Sequence, residues 1–257
     1  MSAEKSRFVW FDLMTTDAQA AKQFYSEIMG WTAQPWQGGG YDLWLAGDQP
    51  VGGMVELDAA ERKAGTRPHW NGFVSTSDIE ETTRMAKELG GKILSPIQDI
   101  PEVGKFASIE DPQGARFSVL QGRESAGAPT PDALGHYGWS ELNTTDWKSA
   151  WKFYSALFGW VKTASMDMGE EFGEYFMFGV DSQRSLGGMS NAAKMMKEPA
   201  HWLHYANVRS VDESVKAIAA KGGKVLNGPM DVPGGDRIAQ CKDPRGGYFA
   251  IFSRGKR

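Results

Sequence analysis

The chain is poor in the residues that build covalent and metal-centred scaffolds. Cysteine occurs once in 257 residues, as Cys241, and histidine four times. A single thiol excludes an internal disulfide and a thiolate-rich metal centre, so a reducing, cytoplasmic setting is expected. Cys241 precedes Lys242-Asp243-Pro244 near the end of an expected strand; there the ordinary role of cysteine is a small buried residue rather than a nucleophile. Long apolar runs are also missing: no window approaches the roughly 18 uninterrupted apolar residues of a membrane span. The opening MSAEKSRFVWFDL lacks the apolar core and cleavage site of a signal peptide. Neither sign of charge dominates, with 28 Lys and Arg against 32 Asp and Glu for a formal net charge of −4. That distribution offers no surface for nucleic acid or an anionic membrane.

What the chain does have is an internal repeat. Phe11-Asp12-Leu13-Met14-Thr15-Thr16-Asp17 returns as Ser140-Glu141-Leu142-Asn143-Thr144-Thr145-Asp146, and Phe24-Tyr25-Ser26 with Gly30-Trp31 returns as Phe153-Tyr154-Ser155 with Gly159-Trp160. Gly52-Gly53-Met54 reappears as Gly187-Gly188-Met189, His69-Trp70 as His201-Trp202, and Gly90-Gly91-Lys92 as Gly222-Gly223-Lys224. Asp111-Pro112-Gln113-Gly114 and Asp243-Pro244-Arg245-Gly246 close the two copies. Between them GRESAGAPTPDALG is rich in Gly, Ala and Pro without hydrophobic periodicity, the composition of a linker. The expected organisation is a domain over residues 1–122, a linker over 123–134 and a second domain over 135–257.

Val9, Phe11 and Leu13 alternate with Trp10 and Asp12, which predicts a strand with one apolar face. Asp17 is placed to cap a helix over Ala18 to Met29, with Ala21, Phe24, Tyr25 and Ile28 on one stripe and Gly30 ending it. Strands are expected over Tyr41 to Ala46 and Val51 to Glu56, with Gly47-Asp48-Gln49-Pro50 as the turn between them. The same order then repeats: a strand over Asn71 to Ser75, a helix over Asp78 to Leu89, and strands over Lys92 to Ser95, Lys105 to Glu110 and Ala115 to Gln121. Each copy thus contains two βαβββ modules, and the expected fold is α+β, with helices outside curved mixed sheets. Asn191 to Glu198 reads as a polar loop. The Gly-Gly-Met repeats lack the lysine and helix start of a phosphate loop, so their glycines read as turn or close-packing positions, and their methionines as candidates to line a cavity.

These features resemble the vicinal oxygen chelate superfamily, which includes glyoxalase I, bleomycin- and fosfomycin-resistance proteins and extradiol dioxygenases. The matching residues are Asp17, Phe24-Tyr25, Gly30-Trp31, Gly90-Gly91 and Asp111-Pro112-Gln113-Gly114, with their equivalents in the second copy. The resemblance implies three metal-ligand positions per site, on the first strand, on the strand opening the second module and on the final strand. Alignment places these at Trp10, Asn71 and Ser118 in the first copy and at Trp139, Leu203 and Ala250 in the second. Indole N–H only donates, and alanine and leucine coordinate nothing. Neither a metal nor another cofactor is therefore expected, although Asp12, His69, Glu141, His201 and His204 remain a candidate set for a relocated ion.

Residues two apart on a strand share a face, so Trp10 points with Asp12 and Trp139 with Glu141. The expected substrate-binding residues of the first copy are Trp10, His69, Asn71, Arg116 and Ser118; those of the second are Trp139, His201, Tyr205 and Tyr248. Two readings stay open. In one, indoles and polar groups line pockets for a small hydrophobic or aromatic ligand, as the resemblance to bleomycin-resistance proteins implies. In the other, Trp10 and Trp139 plug cavities and Asp12 is bonded to Arg116 as scaffolding. An enzymatic alternative of glyoxalase type uses Asp12 or Glu141 as general base, assisted by His69 or His201. The expected partner is a small molecule, with no nucleic acid and no membrane, in a monomer or homodimer.

Overall fold

The computed structural model describes residues 6–36, 39–123 and 133–255, with the backbone alone at 171 and 172; most of the expected linker lies outside these residues. The first half of the chain forms β1 (Phe8–Thr15), α1 (Ala18–Met29), β2 (Thr32–Pro35), β3 (Asp42–Ala46), β4 (Gln49–Glu56) and α2 (Ala59–Lys63). Its second module follows as β5 (His69–Ser75), α3 (Ile79–Glu88), β6 (Lys92–Ile93), β7 (Gln98–Ile100), β8 (Gly104–Glu110) and β9 (Arg116–Gly122). The second half forms β10 (Tyr137–Asn143), α4 (Trp147–Phe158), β11 (Val161–Asp167), α5 (Gly169–Phe172), β12 (Glu174–Gly179), β13 (Gly187–Ser190) and α6 (Ala192–Met196). It closes with β14 (His201–Asn207), α7 (Val211–Ala220), β15 (Lys224–Asp231), β16 (Arg237–Lys242) and β17 (Tyr248–Ser253).

Local chemistry sets the helix ends. Asp17 Oδ1 accepts from Ala20 N at 2.9 Å, and Gly30 stops α1 in the left-handed region at φ 71°. Asp146 and Gly159 repeat the arrangement around α4, while Asp78 and Ser210 cap α3 and α7. These side chains satisfy amide groups that the first helical turn leaves unbonded. Three expectations change. Asn191 to Glu198 is not a plain loop, because Ala192–Met196 coils into α6. The turn before β4 is shorter than expected: Ala46 pairs with Gln49, leaving only Gly47 and Asp48 outside the ladder. Asp58 and Glu61 form a reciprocal capping box that starts α2, an element not anticipated.

The strands make two mixed sheets of matching order. One runs β2-β3-β4-β1-β5-β9-β8-β6 with β7 on β8, and the other β11-β12-β13-β10-β14-β17-β16-β15. In each module the first and last strands pair in parallel, β1 with β4, β5 with β9, β10 with β13 and β14 with β17. Among the described residues no helix is long and apolar enough to cross a membrane.

Packing follows a different partition. The chain folds into two compact units, each drawing on both sequence halves: the first takes Met1–Val9, Gly72–Pro129 and Ser140–Trp202, the second Trp10–Asn71, Thr130–Trp139 and Leu203–Arg257. The core of the first unit includes Phe117, Tyr154, Trp160, Phe178 and Trp202. In the second, the Tyr25 ring meets Trp70 at 5.3 Å, Phe249 at 5.4 Å and Trp44 at 6.0 Å between centroids. Full burial of one such ring stabilises by about 2–3 kcal/mol, with edge-to-face contacts adding to it.

The repeated motifs meet in these cores. In the second unit Trp70 Nε1 donates to Tyr25 Oη at 3.0 Å, and Tyr25 Oη donates to Asp243 Oδ2 at 2.9 Å. Asp243 Oδ1 accepts from the amides of Arg245 at 2.8 Å and Gly247 at 2.9 Å. The first unit repeats the relay through Trp202, Tyr154 and Asp111, at 3.0 Å for each side-chain step. The turn residue between reaches the facing helix start: Gln113 Oε1 accepts from Asp146 N at 2.8 Å, and Arg245 pairs with Asp17. Phe-Tyr, His-Trp and Asp-Pro-x-Gly are thus parts of one buried scaffold per unit, joining modules distant in sequence.

Candidate functional site

Strand alternation places Phe11 and Leu13 of β1 in the core, at 7% and 0% exposure, and leaves Trp10 and Asp12 half-buried on the other face. Asp12 Oδ1 accepts two bonds, from Tyr41 Oη at 2.6 Å and from Trp10 Nε1 at 2.8 Å. The indole N–H is shared, since it also lies 2.8 Å from Tyr41 Oη. Asp12 pairs with Gly53 of β4, whose missing side chain makes room for the phenol: a Cβ there would collide with Tyr41 Oη and approach Asp12 Oδ1. Burial pushes the Asp12 carboxyl up to about 6, against the lowering effect of the bonds from Tyr41 and Trp10.

The other half carries a counterpart in the first unit. Glu141 of β10 is buried and accepts from Tyr175 Oη at 3.0 Å. Glu141 pairs with Gly188 of β13, and a Cβ on Gly188 would run into the Tyr175 ring. The second glycine of each Gly-Gly-Met therefore seats a phenol against the first-strand acid. The methionines do not line a cavity; Met54 and Met189 are core residues at 1% and 0% exposure. Sequence reasoning missed Tyr41 and Tyr175. Their signal was available, because each precedes its Gly-Gly-Met by nearly the same distance, but a lone tyrosine near the start of a strand carries no chemistry until the register is known.

The remaining expected site residues have partners of their own. Asp12 is not bonded to Arg116, which is exposed and lies 3.6 Å from Glu110, its cross-strand neighbour on β8. Ser118 is wholly buried, 3.0 Å from Ser108 Oγ. His69 and His201 open β5 and β14, and their Nδ1 atoms lie 2.8 and 2.9 Å from the carbonyls of Arg67 and Pro199. A carbonyl only accepts, so Nδ1 carries the proton in both. Asn71 sits two residues after His69 on the same strand face. Trp139 and Tyr248 pack against Leu203, Tyr205, Ala250 and Phe252 as one apolar cluster, and Tyr205 Oη accepts from Gln240 Nε2 at 2.7 Å. His204 is a core histidine in contact with the Phe11 ring at 4.8 Å. Cys241 is buried, which pushes its thiol up to about 12 and makes it a poor nucleophile.

The family's ligand positions do not fit a metal. Trp10 aims a positively polarised N–H at Asp12, Ser118 is tied to another hydroxyl, and Leu203 and Ala250 are apolar. Among the described residues no three His, Cys, Asp or Glu side chains are grouped to hold an ion, so the alternative set of Asp12, His69, Glu141, His201 and His204 is not assembled.

The Asp12 environment predicts a measurable pH dependence. Its folded value of about 6 exceeds the ordinary 3.8, so between those values the folded state holds more protons than the unfolded. Stability attributable to this group therefore falls as pH rises through the window. Asp12→Asn, which still accepts through Oδ1, should remove that decline, a difference on the order of 1–3 kcal/mol between acid and neutral pH. Urea unfolding of both proteins across the range checks it; parallel profiles would refute it.

A profile of the Glyoxalase/Bleomycin resistance protein/Dioxygenase superfamily matches residues 7–119 and 133–251. CFP32 of Mycobacterium bovis, named as a candidate glyoxylase, is 30% identical over 95% of this chain and 93% of its own. The anthracycline biosynthesis protein DauV of Streptomyces sp. strain C5 is 28% identical over 94% of this chain and 91% of its own. Among solved structures, the 2,3-dioxygenase LapB from Pseudomonas sp. KL28 superposes with a TM-score of 0.67 at 13% identity, covering 99% of this chain and 94% of that one. The Mn(II)-bound glyoxalase from Novosphingobium aromaticivorans gives 0.64 at 16% identity, covering 99% and 83%. Those two likenesses concern the fold alone. With the profile matched twice and a relative similar over nearly its full length, this chain belongs to the glyoxalase/bleomycin resistance protein/dioxygenase superfamily.

Proposed function

We propose that this chain is a metal-independent binder of a small aromatic or hydrophobic molecule, with Trp10, Asp12 and Tyr41 at the centre of its site. One observation carries the reading: at the family's first ligand position stands an indole whose N–H is directed at a carboxylate, so the side chain at that position has no lone pair to offer an ion. An indole and a phenol supply contact area, and one carboxyl fixes orientation. Relatives named for glyoxylase activity and for anthracycline biosynthesis accord with small organic molecules as partners. A single buried cysteine suits a cytoplasmic protein.

A thermal-shift screen of aromatic and hydrophobic compounds tests the proposal. A ligand at about a hundred times its Kd adds about 2.7 kcal/mol to apparent stability. The shift should persist in EDTA. Loss of every shift on chelation would overturn metal independence, and a screen without a hit would count against binding altogether.

The second reading, a glyoxalase-type proton-transfer enzyme, is favoured by the two first-strand acids, each held by a tyrosine hydroxyl. The Asp12 carboxyl, pushed up to about 6, lies close to neutrality, where a general base is effective. Glu141, bonded to Tyr175, is the corresponding acid of the other half. Turnover of a hemithioacetal in the presence of EDTA, abolished by Asp12→Asn, would decide for it over simple binding.

A further inference from the structure

Asp12 is saturated on one oxygen and open on the other. Both protein donors converge on Oδ1, while Oδ2 takes no bond from any described residue and is not among the side-chain atoms sealed from solvent without a partner. Trp10 Nε1, Tyr41 Oη and Asp12 Oδ1 form a closed triangle with sides of 2.6, 2.8 and 2.8 Å, which fixes the plane of the carboxyl group and so the direction in which Oδ2 points. No lysine or arginine pairs with Asp12 among the described residues, although the group is half-buried. A carboxylate desolvated without a cation is unfavourable, and what relieves it is a positive charge brought from outside.

The structure assigns Asp12 Oδ2 as the anchor for a protonated amine carried by an aromatic ligand, with Tyr41 as the positioning residue that holds the carboxyl in place. This rests on the small-molecule reading above and narrows it to a ligand class. An anionic ligand would meet the uncompensated carboxylate and be repelled. A neutral hydroxyl would satisfy Oδ2 but leave its charge. An ammonium group satisfies both. The built character of the site shows in Gly53, the β4 partner of Asp12, where any side chain would displace the phenol. The other half repeats the same three parts as Glu141, Tyr175 and Gly188. The duplication thus carries an acid, a phenol and the glycine that lets them meet.

Two probes sharing one ring and differing in charge test the assignment: tryptamine and indole-3-propionate, titrated calorimetrically near neutral pH into the wild type, Asp12→Asn and Tyr41→Phe. Tryptamine should bind the wild type more tightly than indole-3-propionate by about tenfold or more, the scale of one charge-assisted bond. Asp12→Asn should erase that preference. Tyr41→Phe, which keeps the charge but frees the carboxyl, should reduce the preference several-fold, whereas a purely structural role for Tyr41 would weaken both probes alike. Equal affinities in the wild type, or a preference untouched by Asp12→Asn, would overturn the anchor. So would failure of both probes while another screened compound raises Tm, and in that case small-molecule binding stands. If no compound binds at all, the underlying reading fails with it.

Discussion

Replacing Tyr25 with phenylalanine should destabilise the protein by about 2–5 kcal/mol, although a single oxygen atom is lost, because two buried partners are left without their bond. Trp70 Nε1 loses its acceptor and Asp243 Oδ2 its donor. Both residues are buried, at 5% and 6% exposure, so water does not replace the phenol. Burial already raises the Asp243 carboxyl above its ordinary range, and the Tyr25 bond is one of the interactions lowering it. Removing that bond raises the folded value further, so the destabilisation is fully present where Asp243 is ionised and shrinks as acid protonates it. Urea unfolding near neutral pH and again in mild acid measures both effects. A loss below about 1 kcal/mol at neutral pH would mean that the relay is replaceable.

The two glycines of Gly187-Gly188-Met189 should respond differently to alanine. At Gly187 a Cβ would collide with the Ser140 carbonyl oxygen on the paired strand β10, and with the Phe178 ring. Gly187 is paired on both sides, with Ser140 of β10 and Phe178 of β12, so the backbone there cannot retreat without breaking the ladders, and Gly187→Ala should cost about 3 kcal/mol or more, at or beyond the upper end of ordinary overpacking. At Gly188 the obstacle is the Tyr175 side chain, which can swing aside. Gly188→Ala should therefore cost less, about 1–2 kcal/mol, while releasing Glu141 from its phenol. Chemical denaturation of the two variants side by side checks the order; equal losses would show that Tyr175 is as fixed as the backbone.

Much of the architecture was legible because its causes are local. Asp17 and Gly30 bound α1 as their chemistry predicts, and the alternation of Phe11 and Leu13 with Trp10 and Asp12 gave the correct faces of β1. The short β2 and β7 carried no signal: their residues are mostly exposed, so nothing imposes a hydrophobic period on them. The capping box of α2 was present as Asp58 and Glu61 and went unread because no apolar stripe follows it. Arg116 was given the right strand but the wrong partner, since the antiparallel register of β8 and β9 places Glu110 beside it. The geometry of the candidate site was legible in part. Trp10 with Asp12 followed from strand geometry, whereas Tyr41 reaches them only through the register of β4 beside β1 and the gap at Gly53.

By itself the sequence determined that an α+β unit occurs twice, where its main helices begin and end, and that the family's metal positions hold indole, amide, hydroxyl and aliphatic groups. Capping, periodicity and donor chemistry depend on residue type and short spacing, so they can be read along the chain. Only the tertiary structure decided that Tyr25 bonds to Asp243, 218 residues away, and that Tyr41 and Tyr175 hold the two first-strand acids. Those pairings depend on strand register and on space left by a missing side chain, and both are set by packing between segments that the sequence keeps far apart.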